Sequence, residues 1–193
     1  VYGIVGATAS GKTAASIALA RAVGGEIVCM DSMQVYTGMD IGTAKPTQAE
    51  MNGVPHHMLD VVSPVSPFSV AEYASLARTC IDGIASRGHV PILVGGPGLY
   101  LRALSLPLDF GFTSGDEAVR GKYQAYAEER GVIALHALLA SRDPPTAARL
   151  HPNDTRRVIR ALEVYDLTGK PFSSQEMPGE SDSPYDFTRF ALD

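Results

Sequence analysis

Residues 6–13 read Gly6-Ala7-Thr8-Ala9-Ser10-Gly11-Lys12-Thr13, a glycine, four residues and then Gly-Lys-Thr, and no other stretch restricts the fold as much. Such a loop works when a buried strand delivers it and a helix leaves it. Tyr2-Gly3-Ile4-Val5 is short and apolar enough for the strand, and Ala14 to Ala20 has the composition of the helix. The expectation is an α/β chain with a parallel sheet. Glycines at both ends let the backbone curl until successive N–H groups point inward at an anion, and the first turn of the helix adds unpaired donors at its positive end. Lys12 supplies a point charge for phosphate oxygens, and Thr13 a hydroxyl for Mg²⁺.

At 193 residues the chain reads as one domain, or a core with a small insertion, able to bury about 70% of its unfolded surface. Its two cysteines, Cys29 and Cys80, have no metal or redox spacing and read as core thiols. There is no apolar run of about 18 residues and no basic-then-apolar leader, so no membrane segment and a cytoplasmic setting are expected, with a monomer as the simplest state. The first residue is not Met and both ends fall in expected strands, so both termini read as missing sequence. A net charge of −5 argues against a generally polyanion-binding surface. Local charge says otherwise: Arg149, Arg156, Arg157 and Arg160 face only Asp154 between residues 149 and 160.

Along the chain, Gly24-Gly25 ends the first helix and Glu26 to Met30 reads as a second strand with Asp31-Ser32 at its C-terminal end. In an open α/β sheet the carboxyl ends of strands form the ligand crevice, which brings Asp31 to the rim that holds the phosphate loop. From position alone, Asp31 can ligate Mg²⁺, accept a proton or cap the next turn. Residues 33–60 are rich in glycine and proline and too long for a simple connector; Asp40 and Lys45 fall within them. The adjacent His56-His57 lacks the spacing of a metal pair and reads as packing or loop hydrogen bonding. Ser69 to Glu72 is a capping box opening a crossover helix, and Val90 to Val94 is a central strand ending in a second glycine-rich loop, Gly95-Gly96-Pro97-Gly98. Residues 116–141 read as two helices broken at Gly131, another short helix starts at Pro144-Pro145, and a helix with an apolar stripe of Val158, Leu162 and Tyr165 ends at Gly169. Arg156 and Arg160 share a face of that helix, for which a plain solvated surface is the alternative. Residues 171–184 read as a polar loop before a last strand.

Together these stretches resemble the tRNA dimethylallyltransferases. The resemblance rests on GATASGKT at 6–13, DSMQVYTGMDIGTAKP at 31–46, PHHMLD at 55–60, LVGG at 93–96 and HPNDTRRVIRALEVYDLTGKP at 151–171. It implies a P-loop NTPase-like sheet over residues 1–109, a small helical insertion that grips tRNA over 110–150, and a return to the core over 151–193. The activity implied is transfer of a dimethylallyl group to N6 of the adenosine beside the anticodon. Residues 6–13 would hold the diphosphate of dimethylallyl diphosphate, with Thr13 on Mg²⁺, and Asp31 would be the base. Asp31, Ser32, Met33 and Gln34, the run Arg156, Arg157, Val158, Ile159 and Arg160, and Arg120 match positions the family uses on the tRNA anticodon stem-loop.

Two residues depart from the family pattern. Ala7 stands where the family usually has Pro, and Pro97 where it has Thr or Ser, a hydroxyl expected to help orient the reacting groups. The rival readings are a P-loop kinase that uses the same loop on ATP, an adenine-nucleotide isopentenyltransferase, and a nucleotide-dependent RNA-binding switch without catalysis. Consumption of ATP, or transfer to AMP instead of tRNA, separates them.

Overall fold

Strand β1 (Tyr2–Gly6) runs into the glycine motif and helix α1 (Lys12–Val23) leaves it. Gly24 ends α1 in a left-handed conformation at φ 64°, its N–H bonded to Ala20 O, and β2 (Gly25–Met30) follows directly. Next come α2 (Gln48–Met51), β3 (His56–His57), α3 (Val70–Ser86), β4 (Val90–Gly95) and α4 (Leu99–Ser105). The last strand is β5 (Thr188–Leu192). Capping boxes open α2 at Thr47 with Glu50 and α3 at Ser69 with Glu72.

In the computed structural model the described residues are 1–96, 98–105, 115–174 and 183–193. They divide into two units, Val1–Leu108 with Pro178–Asp193, and Asp109–Met177. The first holds a five-stranded sheet in the order β3-β2-β4-β1-β5. Every pairing in it is parallel. Parallel strands need crossovers, and the crossover helices cover the sheet faces, which is why β2 is buried along its whole length. Ile17 and Ala20 of α1 pack on Ile4, Ile27 and Ile92. Each such isoleucine, nearly inaccessible to solvent, is worth ~1.5–3 kcal/mol by burial. The register positions the site: Val5 of β1 and Met30 of β2 both pair with Gly95 of β4, so the phosphate loop and Asp31 leave the same rim on either side of that glycine.

The second unit consists of α5 (Glu117–Arg130), α6 (Val132–Arg142), α7 (Pro144–Arg149), α8 (Thr155–Thr168) and a 3-10 turn at Phe172–Ser174. Aspartates cap three of the helices: Asp116, Asp143 and Asp154 accept N–H groups at the starts of α5, α7 and α8. The core is Tyr123, Leu135, Leu139, Ala147, Val158, Ile159, Ala161 and Leu162. The helical unit therefore runs past the expected boundary at 150. The stripe of α8 supplies half of that core, so residues 151–174 belong with the helices before them, and residues 183–193, the last strand among them, belong to the sheet unit.

Candidate functional site

The phosphate loop is held in a form that suits an anion. Ala9 and Gly11 both have positive φ, at 66° and 84°, which turns successive N–H groups to one side. A side chain at Gly6 would meet Leu192 O at 2.4 Å and Ser10 Oγ at 2.8 Å, so this turn requires glycine. Ser10 Oγ is buried with no hydrogen-bond partner among the described residues. Lys12 folds back and its ammonium donates to Gly6 O at 3.0 Å and to Ala7 O. Neutral carbonyls are weaker partners for an ammonium than an anion is. Thr13 lies exposed at the first turn of α1.

Across Gly95, Asp31 Oδ1 accepts the N–H of Met33 at 2.8 Å and of Gln34 at 3.3 Å. The capping role is thus real, and it occupies one oxygen; Oδ2 takes no hydrogen bond among the described residues and its direction is fixed by the other. Ser32 and Met33 are exposed. Gln34 is committed to the protein in this structure: its Nε2 donates to Thr43 O at 2.8 Å and Ala44 O at 3.3 Å, and Cys29 Sγ donates to its Oε1 at 3.2 Å. Burial pushes the Cys29 thiol up to about 12, so it stays a protonated donor.

Lys45 anchors the same loop. Its side chain is only 5% exposed, and its ammonium contacts Asp60 at 2.6 Å, Asp40 at 2.7 Å and Tyr36 O at 2.9 Å. Burial works against its charge, but the hydrogen bonds and charges of Asp40 and Asp60 win, and its pKa lies above the ordinary lysine value. Beneath the loop, Tyr73 stacks on Tyr100 with ring centroids 3.8 Å apart, and the Tyr73 hydroxyl donates to Cys29 O at 2.9 Å. The long segment after Asp31 is thus pinned at several points. Pro97 lies outside the described residues.

His56 and His57 serve the scaffold. His56 Nδ1 bonds Val54 O at 2.8 Å, and His57 Nε2 meets the buried Glu26 at 2.6 Å, with Arg87 and His89 on the same carboxylate. Burial raises the Glu26 pKa, yet His57 and Arg87 hold it below the usual carboxylate value. Glu26 sits at the start of β2, the end of the sheet away from the rim. Among the described residues no group of three His, Cys, Asp or Glu side chains could hold a metal.

In the helical unit, Asp154, Arg156, Arg157 and Arg160 line an open depression of about 470 Å³. Arg156 is exposed and makes no ion pair among the described residues. Arg157 pairs with Asp154 at 2.8 Å, and Arg160 with Glu163 at 2.6 Å. Arg120 also pairs with Glu163, at 2.9 Å. Val158 and Ile159 do not belong with these arginines: both are buried in the helical core, and their assignment to RNA contact is corrected to packing, because α8 turns every third or fourth side chain inward.

Two functional features escape the sequence. Lys45, Asp40 and Asp60 come from separate turns, so nothing in their spacing announces a triad. Glu163 left a trace that could have been read: it lies four residues after Ile159, a carboxylate on the apolar face. Burial opposes its ionisation, and hydrogen bonds from Arg160 and the Asp116 N–H, with the charges of both arginines, hold its pKa below the ordinary value.

The family described as IPP transferase matches residues 34–193, and the one described as isopentenyl transferase matches residues 1–66. The chain is 54% identical over 182 residues to a tRNA dimethylallyltransferase of Desulfitobacterium hafniense, covering 94% of this chain and 57% of that protein. It is 56% identical over 170 residues to one of Geobacillus thermodenitrificans, covering 88% and 54%. Among solved structures, the tRNA isopentenylpyrophosphate transferase of Bacillus halodurans superposes with a TM-score of 0.61 at 46% identity, covering 98% of this chain and 58% of that one. A eukaryotic dimethylallyltransferase acting on tRNA gives 0.81 at 32% identity, covering 100% and 48%. The chain spans about half the length of the curated relatives it matches. With the phosphate loop and Asp31 set on one sheet rim and the sequence matched from end to end, the chain belongs to the IPP transferase family.

Proposed function

We propose that the chain transfers a dimethylallyl group from dimethylallyl diphosphate to N6 of the adenosine beside the anticodon in tRNA. The observation that carries this reading is the shared rim, where the register places the phosphate loop and Asp31 on either side of Gly95. Two strand spacings separate them, about 10 Å, room for a diphosphate and the carbon it leaves.

The loop N–H groups and Lys12 take the diphosphate oxygens, Lys12 exchanging Gly6 O and Ala7 O for the stronger anion. Ser10 Oγ gains the partner it lacks. The donor set suits Mg²⁺: one exposed hydroxyl, Thr13, beside a phosphate site, without a protein carboxylate cage, matches an ion that binds mostly through water and substrate phosphates. When bound, Mg²⁺ stabilises negative charge on the leaving diphosphate. The N6–C1 bond forms as the C1–O bond breaks, and Asp31 takes the proton that N6 must lose. An exocyclic adenine amine is a poor nucleophile, so alignment and the nearby acceptor contribute much of the rate. Pinning of Oδ1 by the Met33 and Gln34 N–H groups holds Oδ2 ready for that proton. The adenine leaves its stack to reach the rim, while Arg156, Arg157, Arg160 and Arg120 meet RNA phosphates. No helix among the described residues is long and apolar enough to cross a membrane.

Incubation with labelled dimethylallyl diphosphate and Mg²⁺, offering tRNA, AMP and ATP separately, tests the reading. Label on tRNA alone is expected. Label on AMP or ATP would replace tRNA by a free nucleotide, and no label on any acceptor would end the reading for this chain.

A further inference from the structure

Arg120 is held more tightly than an exposed arginine needs to be. Its Nε lies 2.9 Å from Glu163, whose side chain is 0% exposed, while the arginine side chain is 54% exposed. The Nε edge of the guanidinium is thus fastened to the protein interior while the side chain as a whole is half exposed. On another side the group lies flush against the backbone at Gly115, where a side-chain Cβ would fall 1.8 Å from Nη2 and 2.3 Å from Cζ. The two terminal amino groups make no hydrogen bond among the described residues.

Glu163 does not need Arg120 for its own compensation. It already receives Arg160 at 2.6 Å and the Asp116 N–H at 2.7 Å, one full charge and one backbone donor. Arg120 therefore leaves the cluster with a net charge of +1 at the surface. A guanidinium with its Nε edge fixed and its Nη2 side lying against Gly115 presents a planar, rigid fork, the geometry that suits a phosphate. Such a group loses little side-chain freedom when it binds, which an unrestrained arginine must lose in full.

From this we propose that Gly115 and Glu163 are positioning residues that aim the Arg120 guanidinium at a backbone phosphate of the RNA substrate. The proposal rests on the RNA-modifying function above and adds the residues that give one of its cations a direction. Gly115 acts by having no side chain, Glu163 by holding Nε.

The test is the affinity of this chain for an RNA anticodon stem-loop, by fluorescence anisotropy over a salt titration, with a thermal melt of each protein. Gly115→Ala pushes only on the far end of a flexible side chain, so it keeps every charge and the melting temperature. It is expected to weaken binding by roughly three- to tenfold and to lower the salt slope by about one, as Arg120→Ala does. Glu163→Gln adds a net positive charge, so bulk electrostatics predicts tighter binding, whereas lost aim predicts weaker binding. In the Arg120→Ala background Glu163→Gln should no longer weaken binding. Wild-type affinity in Gly115→Ala, tighter binding in Glu163→Gln, or an Arg120→Ala protein that melts lower yet binds normally would each overturn the proposal. If Glu163→Gln fails to fold, Gly115→Ala decides alone. A wild-type chain that binds no stem-loop would instead remove the functional reading beneath it, an outcome distinct from any variant's.

Discussion

The phosphate loop of the sheet unit and the arginine face of the helical unit both present positive character to an anion, yet they are built in opposite ways. In the loop, charge comes mainly from backbone N–H groups and a helix start, and polar groups are left without protein partners, Ser10 Oγ among them. In the helical unit, Arg120, Arg157 and Arg160 are already paired with carboxylates, and Arg156 is the exposed exception. A site for a small, invariant group such as diphosphate can be preformed, because the glycine loop after β1 is held in a curled backbone. On the proposed reading, a surface for a long polyanion shares most of its cations with the helices that carry them, so that Arg120, Arg157 and Arg160 would serve stability and binding together.

The largest effect expected from breaking this comparison is at Asp31. Asp31→Asn keeps the turn, since its side-chain oxygen still accepts the N–H groups of Met33 and Gln34, but it cannot take the proton. Single-turnover transfer should fall by ~10²–10⁴, with affinity for stem-loop and dimethylallyl diphosphate changed by less than about tenfold. A near-normal rate removes the base role; loss of Mg²⁺ dependence with weakened diphosphate binding would make Asp31 a metal ligand.

Next is Lys45→Met, which leaves Asp40 and Asp60 facing one another. Since both carboxylates are half exposed, urea unfolding should show a loss of about 2 kcal/mol, below the 3–5 of a fully buried pair. Unchanged stability would mean that the other hydrogen bonds of the loop, those of Gln34 and of the Thr37 and Val62 backbone among them, suffice to hold it. Lys12→Ala should weaken pyrophosphate binding by about tenfold in calorimetry while the melting temperature stays put, because its partners among the described residues are loop carbonyls. A folded variant with unchanged affinity would show that the backbone does all the work.

The Lys45 triad and the carboxylates of α8 should also respond at opposite ends of the pH scale. The pKa of Lys45 is raised above 10.5, so its contribution is complete below that value and is lost as pH rises through the higher folded one. The pKa values of Glu163 and of Asp166 on α8, whose carboxylate receives Lys122, Tyr123 and Arg142, are lowered from 4.5 and 3.8, so theirs is complete above those values and is lost as pH falls through the lower folded ones. Hydrogen exchange of α8 amides should therefore quicken in acid, and that of residues 36–45 in base. The smallest effect is that of Arg156→Ala, a lower salt slope for stem-loop binding by about one with no change in melting, since this arginine makes no ion pair among the described residues. An unaffected slope would return its face to plain solvation.

Much of this arrangement can be read before any folding. The glycine motif needs a strand before it and a helix after it, β2 and β4 are continuous apolar runs, and Asp31 follows one of them directly, so the rim is implied by local pattern and the rules of parallel sheets. Helix boundaries were equally legible where a local device marks them, as at Ser69 with Glu72, at Gly131 and at Gly169. Partners distant in the chain were not. The Lys45 triad spans residues 40 to 60, the Glu163 cluster joins Asp116, Arg120 and Arg160, and the reach of the helical unit to Met177 depends on which neighbour the apolar face of α8 meets.

The sequence by itself determined the phosphate loop, the parallel strands and the placing of an acid at a strand end, because each depends on residues close together or on a short-range period. Only the tertiary structure decided that Val158 and Ile159 are core, that Gln34 is bonded to its own loop, that Asp31 has one oxygen engaged and one open, and that Arg120 is clasped between Gly115 and Glu163. The reason is physical: a side chain's identity fixes what it can bond, but burial and the arrival of a distant partner fix which of those bonds it makes.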